Sequence, residues 1–182
     1  MPTKYKSFGF ADVQNRFPGY TNNAWIAPKS AFTLLQEPAG PFAALGDEVT
    51  VKTAHTFPVG EGFISVYCAP DTVEANATAV GAKGASRFKW QPKIFIPGDS
   101  PALQAQVQLL LNDDVIIILK DANCPGGPLL QYGCSCTPGQ TSAGAFQGSN
   151  TGDESGRKGY ELTFDSMCRY FYTSTIAEKP AA

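Results

Sequence analysis

The sequence predicts a mainly β protein: a β-sandwich or small β-barrel with one helix packed against it at about residues 100–112, and long loops or arms. Three observations predict it. Apolar and polar residues alternate with a period of two in several separate stretches. The chain is rich in turn formers, with 18 glycines and 14 prolines among 182 residues. Helical spacing occurs in a single stretch, flanked on both sides by apolar strands. About seven or eight strands around one helix make two packed layers.

Taken in order, residues 1–46 hold scattered aromatics without a sustained period (Phe8, Phe10, Phe17, Tyr20, Trp25, Phe32, Phe42). They read as an irregular N-terminal arm; residues 31–35 are either a short strand or a helical turn. From Val49 the period is two, with Val49, Val51, Thr53, His55 and Phe57 on one side. Residues 58–62 (PVGEG) make a turn, and 63–68 read as the returning strand of a hairpin. Residues 69–85 are rich in Ala and Gly with almost no large side chains, and read as a long loop. Residues 86–96 return to strand character, and Pro92, which cannot donate to a ladder, predicts a bulge or an edge position there.

The helix follows. Ser100 can accept a backbone N–H as N-cap, and Pro101 sits at the first helical position, where its missing donor costs nothing. Leu103, Val107, Leu110 and Leu111 recur at helical spacing and give one buried stripe. Asn112, Asp113 and Asp114 end it, because Asp near a helix C-terminus opposes the macrodipole. Val115 to Leu119 is an unbroken apolar run rich in β-branched residues, which reads as a strand covered on both faces. Residues 124–128 turn into a strand over 129–136. Residues 137–158 are polar and Gly-rich and read as a long loop or a ragged edge strand. Alternation around Tyr160, Leu162, Phe164 and then Cys168, Tyr170, Tyr172 predicts a final hairpin. One β domain over 47–176 is expected, with long loops at 69–85 and 137–158 and a tail at 177–182.

Composition limits function. At 43% hydrophobic and 12% aromatic residues the chain can build a real core. Charged residues are 16%, well below the usual quarter, which suggests a surface partly covered by partners. A net charge of −2 without a Lys/Arg cluster gives no attraction to nucleic acid. No membrane-length apolar run or signal-peptide core is present, so synthesis in the cytoplasm is expected. Five cysteines do not form a paired framework, and reduced thiols are the default.

Chemical motifs are sparse. His55 is the single histidine, and its place on the apolar parity of a strand favours a structural role over a catalytic one. Cys134 and Cys136, two apart on the predicted strand, would point to one face, with Cys124 and Cys168 as possible neighbours; the spacing is not that of a zinc knuckle. Residues 153–156 (DESG) lack the ligand pattern of a calcium loop, and 81–84 (GAKG) lack that of a phosphate loop. Glu37, Asp47 and Glu48 read as surface carboxylates. No catalytic, cofactor-binding or metal-ligating set emerges.

The order of pieces carries a resemblance. Gly98-Asp99, Leu111-Asn112-Asp113-Asp114, Asp121-Ala122-Asn123, Leu130-Gln131-Tyr132-Gly133 and Gly159-Tyr160, the last leading into an alternating strand, fall along residues 45–175. The arrangement resembles the bacteriophage tail tube protein family, including the tubes of contractile injection machines. The resemblance implies a non-enzymatic virion subunit without a cofactor, forming hexameric rings that stack around a DNA channel and contact other virion proteins. It makes the loop at 69–85 the candidate assembly arm, with Asp71, Thr72, Val73, Glu74, Ala75, Asn76 and Lys83 as its residues, and the N-terminal 46 residues a second arm. The cysteine cluster and the tract 137–158 depart from the family plan. A head decoration, neck or tail-completion protein is the alternative within the virion. A carbohydrate-binding β-sandwich using Tyr20, Trp25 or Trp90 is the alternative outside it.

Overall fold

The computed structural model describes residues 19–122, 126–148 and 157–180. Two sheets face each other, and among the described residues they do not close into a barrel. The fold is a β-sandwich with one helix, as the alternating patterns predict. One sheet has six strands in the order β2-β10-β7-β6-β1-β3 and the other four, in the order β4-β5-β9-β8. In chain order these are β1 Tyr20–Pro28, β2 Thr50–Val51, β3 Ile64–Tyr67, β4 Glu74–Val80, β5 Arg87–Pro97, α1 Pro101–Leu110, β6 Val115–Asp121, β7 Leu129–Tyr132, β8 Gln140–Gly148, β9 Lys158–Asp165 and β10 Arg169–Tyr172.

β6 is the centre of the molecule. All five residues from Val115 to Leu119 are inaccessible to solvent, and the pleat divides them between two cores. Val115, Ile117 and Leu119 face the space between the sheets, where they meet Ala24 and Ile26 of β1, Ile94 and Ile96 of β5, and Leu162 and Phe164 of β9. Ile116 and Ile118 face outward, yet stay buried under Phe63, Tyr172 and the partly buried Phe32 and Phe57. The aromatic segment between β1 and β3 thus serves as a third, irregular layer over the six-stranded sheet. That layer is the cover on the second face that the unbroken apolar run required.

α1 forms where expected. The Ser100 hydroxyl accepts the Leu103 N–H at 3.2 Å with Pro101 in the first turn, and Val107, flanked by Leu103 and Leu110, packs into the inter-sheet core. Leu111, assigned to the buried stripe from its spacing, is instead exposed, because it caps the helix at the end of the last turn.

Several expectations are corrected. β1 lies inside the stretch read as irregular, pairing with both β3 and β6. Its fully buried positions include Ala24 and Ala27, small residues that allow close packing but leave no apolar period to read. The hairpin expected over 49–68 does not form: β2 pairs in parallel with β10 at one edge of the sheet, whereas β3 pairs with β1 at the other. The chain between them crosses the outer face because His55, Phe57 and Phe63 bury their rings there. The predicted last hairpin also separates, with β9 in the four-stranded sheet and β10 in the six-stranded one. Ser166 makes the corner, exchanging backbone hydrogen bonds with Trp90 while its hydroxyl donates to the Cys168 carbonyl at 2.8 Å. Pro92 sits in an interior strand rather than at an edge or bulge, and pairing between β5 and β9 is simply interrupted there, between Trp90↔Ser166 and Lys93↔Thr163.

Candidate functional site

The predicted arm at residues 69–85 contains a seven-residue strand, β4. β4 pairs with β5 from Glu74↔Lys93 to Val80↔Arg87, and a short turn at residues 81–86 joins them. Alanine and threonine side chains suggested a loop because they bury little area, but the ladder needs only their backbones and an adjoining strand. At its base the hairpin is fastened to the sandwich: Val73 is buried and Ala75 packs against the core, the Thr72 hydroxyl donates to Ala69 O at 2.6 Å, and Lys93 reaches both Glu74 (3.7 Å) and Glu161 (3.1 Å). Towards the tip the anchorage ends. Residues 76–79 and 81–88 are all exposed, so both faces of the hairpin lack a covering layer, and Phe88 shows 56% of its surface to solvent.

The seven residues assigned to the arm therefore divide. Asp71, in the left-handed region at φ 60°, together with Thr72 and Val73, shapes the anchored turn. Glu74, Ala75 and Asn76 lie on β4, and Lys83 is at the exposed tip. They do not converge on one site.

Two of the other three sheet edges, which composition did not single out, share the same property, whereas β2 is partly to fully buried. β8, within the stretch 137–158, is an edge strand, one of the two forms expected for it; it is exposed along most of its length and its sequence QTSAGAFQG carries no charge. β3 (ISVY) is uncharged and exposes Ile64 and Tyr67. An exposed edge is a row of unpaired N–H and C=O groups, which proteins usually protect with Lys, Pro or a covering element. Neither β3 nor β8 contains Lys or Pro, and β4 has one charge, Glu74 at its anchored end. Beside β8 an apolar groove of about 210 Å³ runs along α1, lined in part by Val107, Leu111, Phe146 and Tyr160.

The remaining candidates resolve into packing. His55 is 4% exposed; its Nδ1 accepts the Gln36 N–H at 3.0 Å and its Nε2 lies 2.9 Å from Gln131 Oε1, while its ring stacks on Tyr172. Burial holds its pKa below the ordinary value against the opposing effect of Gln131. None of the three proposed sugar platforms is exposed: the Tyr20 hydroxyl meets that of Tyr132, Trp25 donates to Glu178 at 2.7 Å, and Trp90 lies under the Arg169 guanidinium at 4.6 Å. Glu37 accepts the Ser135 N–H at 2.6 Å, and Asp47 pairs with Lys52 at 2.7 Å.

The cysteines also move from their expected places. β7 ends at Tyr132, so Cys134 and Cys136 lie in the following turn, one buried and the other exposed, rather than on one strand face. Cys168 does approach Cys134. The Thr137 hydroxyl is 3.0 Å from each sulfur, and the Thr137 N–H donates to Cys134 Sγ at 3.4 Å. Burial pushes the Cys134 thiol up, but hydrogen bonds from Cys168 and Thr137 outweigh it and hold its pKa below the ordinary thiol value. Cys168 is pushed up by burial and by Cys134. Cys124 and residues 153–156 lie outside the described residues. Among the described residues no three His, Cys, Asp or Glu side chains gather as a metal site, and no helix is long and apolar enough to cross a membrane.

No protein-family model matches the chain, and neither the curated proteins nor the solved structures include a match to it.

Proposed function

We propose that the protein is a structural subunit that assembles with copies of itself through its sheet edges, and that its place is in a phage particle as a ring-forming tail tube subunit. The observation that carries the assembly reading is the set of three exposed edges, β3, β4 and β8, none of which contains Lys or Pro; at β3 the segment around Glu178 pairs with Phe63 just before the strand begins. Edge strands of this kind join neighbouring chains by backbone pairing, and a heterologous contact between unlike edges closes into a ring when its rotation closes. The β4–β5 hairpin, standing clear of both layers at its tip, suits a contact along the stacking axis. The residue order given above supports the tail tube as the kind of assembly. A net charge of −2 is compatible with a channel that lets DNA slide, since carboxylates repel phosphates.

The test is a pair of edge-blocking substitutions, Ala79→Lys on β4 and Ala145→Lys on β8. Both positions are exposed, and Ala145 faces Glu161 across the ladder, so the monomer accommodates the new charges. Unchanged circular dichroism with lost self-association is expected. Self-association equal to that of the parent chain would refute edge pairing.

A further inference from the structure

We propose that Cys134 and Cys168 are a reactive dithiol that hydroperoxides convert to an intramolecular disulfide joining the ends of β7 and β10. The inference is independent of the assembly reading. It rests first on the Thr137 hydroxyl, which touches both sulfurs at 3.0 Å, so the two can be no further apart than those contacts laid end to end. It rests secondly on the backbone. Gly133 N–H donates to Cys168 O at 3.2 Å, continuing the register that pairs Arg169 with Tyr132.

In a regular ladder Cys134, one residue beyond Gly133, would point to the face opposite Cys168. Gly133, at φ 102°, breaks the alternation, and Cys134 comes to share Thr137 with Cys168. Facing residues of an antiparallel pair lie roughly 4.5–5.5 Å apart and a disulfide spans roughly 4.4–6.8 Å between Cα atoms. Cys134 is one residue from the facing position, and the shared Thr137 hydroxyl, rather than the ladder spacing, brings its sulfur to that of Cys168.

The two sulfurs differ in a way that sets the order of events. Cys134 receives the Thr137 N–H at 3.4 Å, a contact that favours its thiolate, the form that attacks; burial and the neighbouring Cys134 disfavour ionisation of Cys168. Thr137 also lines a cavity of about 330 Å³, with Cys136, Ser166 and Met167; neither Cys134 nor Cys168 lines it, and an oxidant would reach them past Thr137. Cys68 offers the contrast: buried and pushed up to about 11, it remains a thiol.

The chemistry balances with a hydroperoxide as oxidant. The Cys134 thiolate attacks the terminal peroxide oxygen, the O–O bond breaks, and the departing hydroxide, or alkoxide from an organic hydroperoxide, takes the Cys168 proton to become water or an alcohol. Cys134 is then a sulfenic acid and Cys168 a thiolate. Cys168 attacks the Cys134 sulfur, the S–S bond forms, and hydroxide leaves. Two electrons pass from the thiol pair to the peroxide.

The test treats the full chain with hydrogen peroxide, alkylates the remaining thiols and maps the peptides by mass spectrometry. The expected product joins the peptides of Cys134 and Cys168 with loss of two hydrogens, survives Cys136→Ser, and reverts with dithiothreitol. In Cys168→Ser, a dimedone adduct should collect on Cys134, and Thr137→Val should slow disulfide formation severalfold in the otherwise unaltered chain. Cys134 and Cys168 both remaining alkylatable, or a principal crosslink through Cys136 or Cys124, would overturn the assignment. The mapping of the parent chain decides even if a variant fails to fold.

Discussion

Nε2 of His55 lies 2.9 Å from Oε1 of Gln131 inside the outer core, where both side chains are buried. Because Nδ1 accepts the Gln36 N–H, the ring is neutral with its proton on Nε2, donating to Gln131. A second proton would have to sit on Nδ1, against that N–H.

This arrangement predicts a pH dependence. The folded-state pKa is depressed by burial, so the unfolded chain binds the proton first, near pH 6.5. The stabilisation is present in full above that value and is lost as pH falls towards the folded pKa. Urea unfolding at pH 8 and pH 5.5 should show a lower midpoint at the acid value, and His55→Asn should weaken that dependence while destabilising the protein by about 1–3 kcal/mol at pH 8. An equal pH dependence in both proteins would contradict the neutral, proton-excluding site.

A second prediction concerns the β5–β9 contact. A Cβ on Gly159 would run into the Ile96 carbonyl oxygen and sit 2.9 Å from both Phe95 Cζ and Pro97 Cα. Two of these three atoms belong to backbone and cannot turn away. Gly159→Ala should lower stability by about 1–3 kcal/mol, the range for overpacking, read as a drop in the thermal midpoint.

Two substitutions separate the contributions to α1. Ser100→Ala removes the acceptor for the Leu103 N–H and should cost about 1 kcal/mol. Val107→Ala opens space in the inter-sheet core and should cost about 1–3 kcal/mol. Denaturant titration of each, and of the double variant, reads their coupling, which is expected through Leu103, capped by Ser100 and packed against the core that holds Val107.

Much of the sandwich was legible because its signals are local. Ser100-Pro101 marks a helix start by its own chemistry, and Val115 to Leu119 could be dry on both faces only beneath two layers. Strand partners were not legible. Alternation around Val51 and around Phe63 is the same in a hairpin as in strands at opposite sheet edges, and only the burial of His55 and Phe57 on the outer face decides between them. β1 and β4 were missed for one reason: alanines at Ala24, Ala27, Ala77 and Ala79 carry no periodic apolar signal, and neighbouring strands supply the order. The pairing of Cys134 with Cys168 depends on the backbone turn at Gly133, for which a single glycine in the sequence is too common a sign.

The division of the arm into an anchored base and a free tip predicts how it responds to shortening. Removing residues 71–85 would take out β4 and the buried Val73 and should damage the fold. Replacing only the tip, residues 81–86, with Asn-Gly supplies a two-residue hairpin turn and should leave the unfolding midpoint within about 0.5 kcal/mol of the parent. The same change should reduce stacking of rings, seen as shorter particles by electron microscopy. Full-length tubes from the shortened hairpin would remove the tip from the assembly contact.

The central claim is that exposed edges find their partners on sister copies. The mass of the purified chain by light scattering across a range of concentrations, with negative-stain images of the same samples, tests it most directly. Closed rings of one fixed stoichiometry, stacking into hollow tubes as concentration rises, are the predicted result. A monomer at every concentration, with no regular particles in the images, would contradict it.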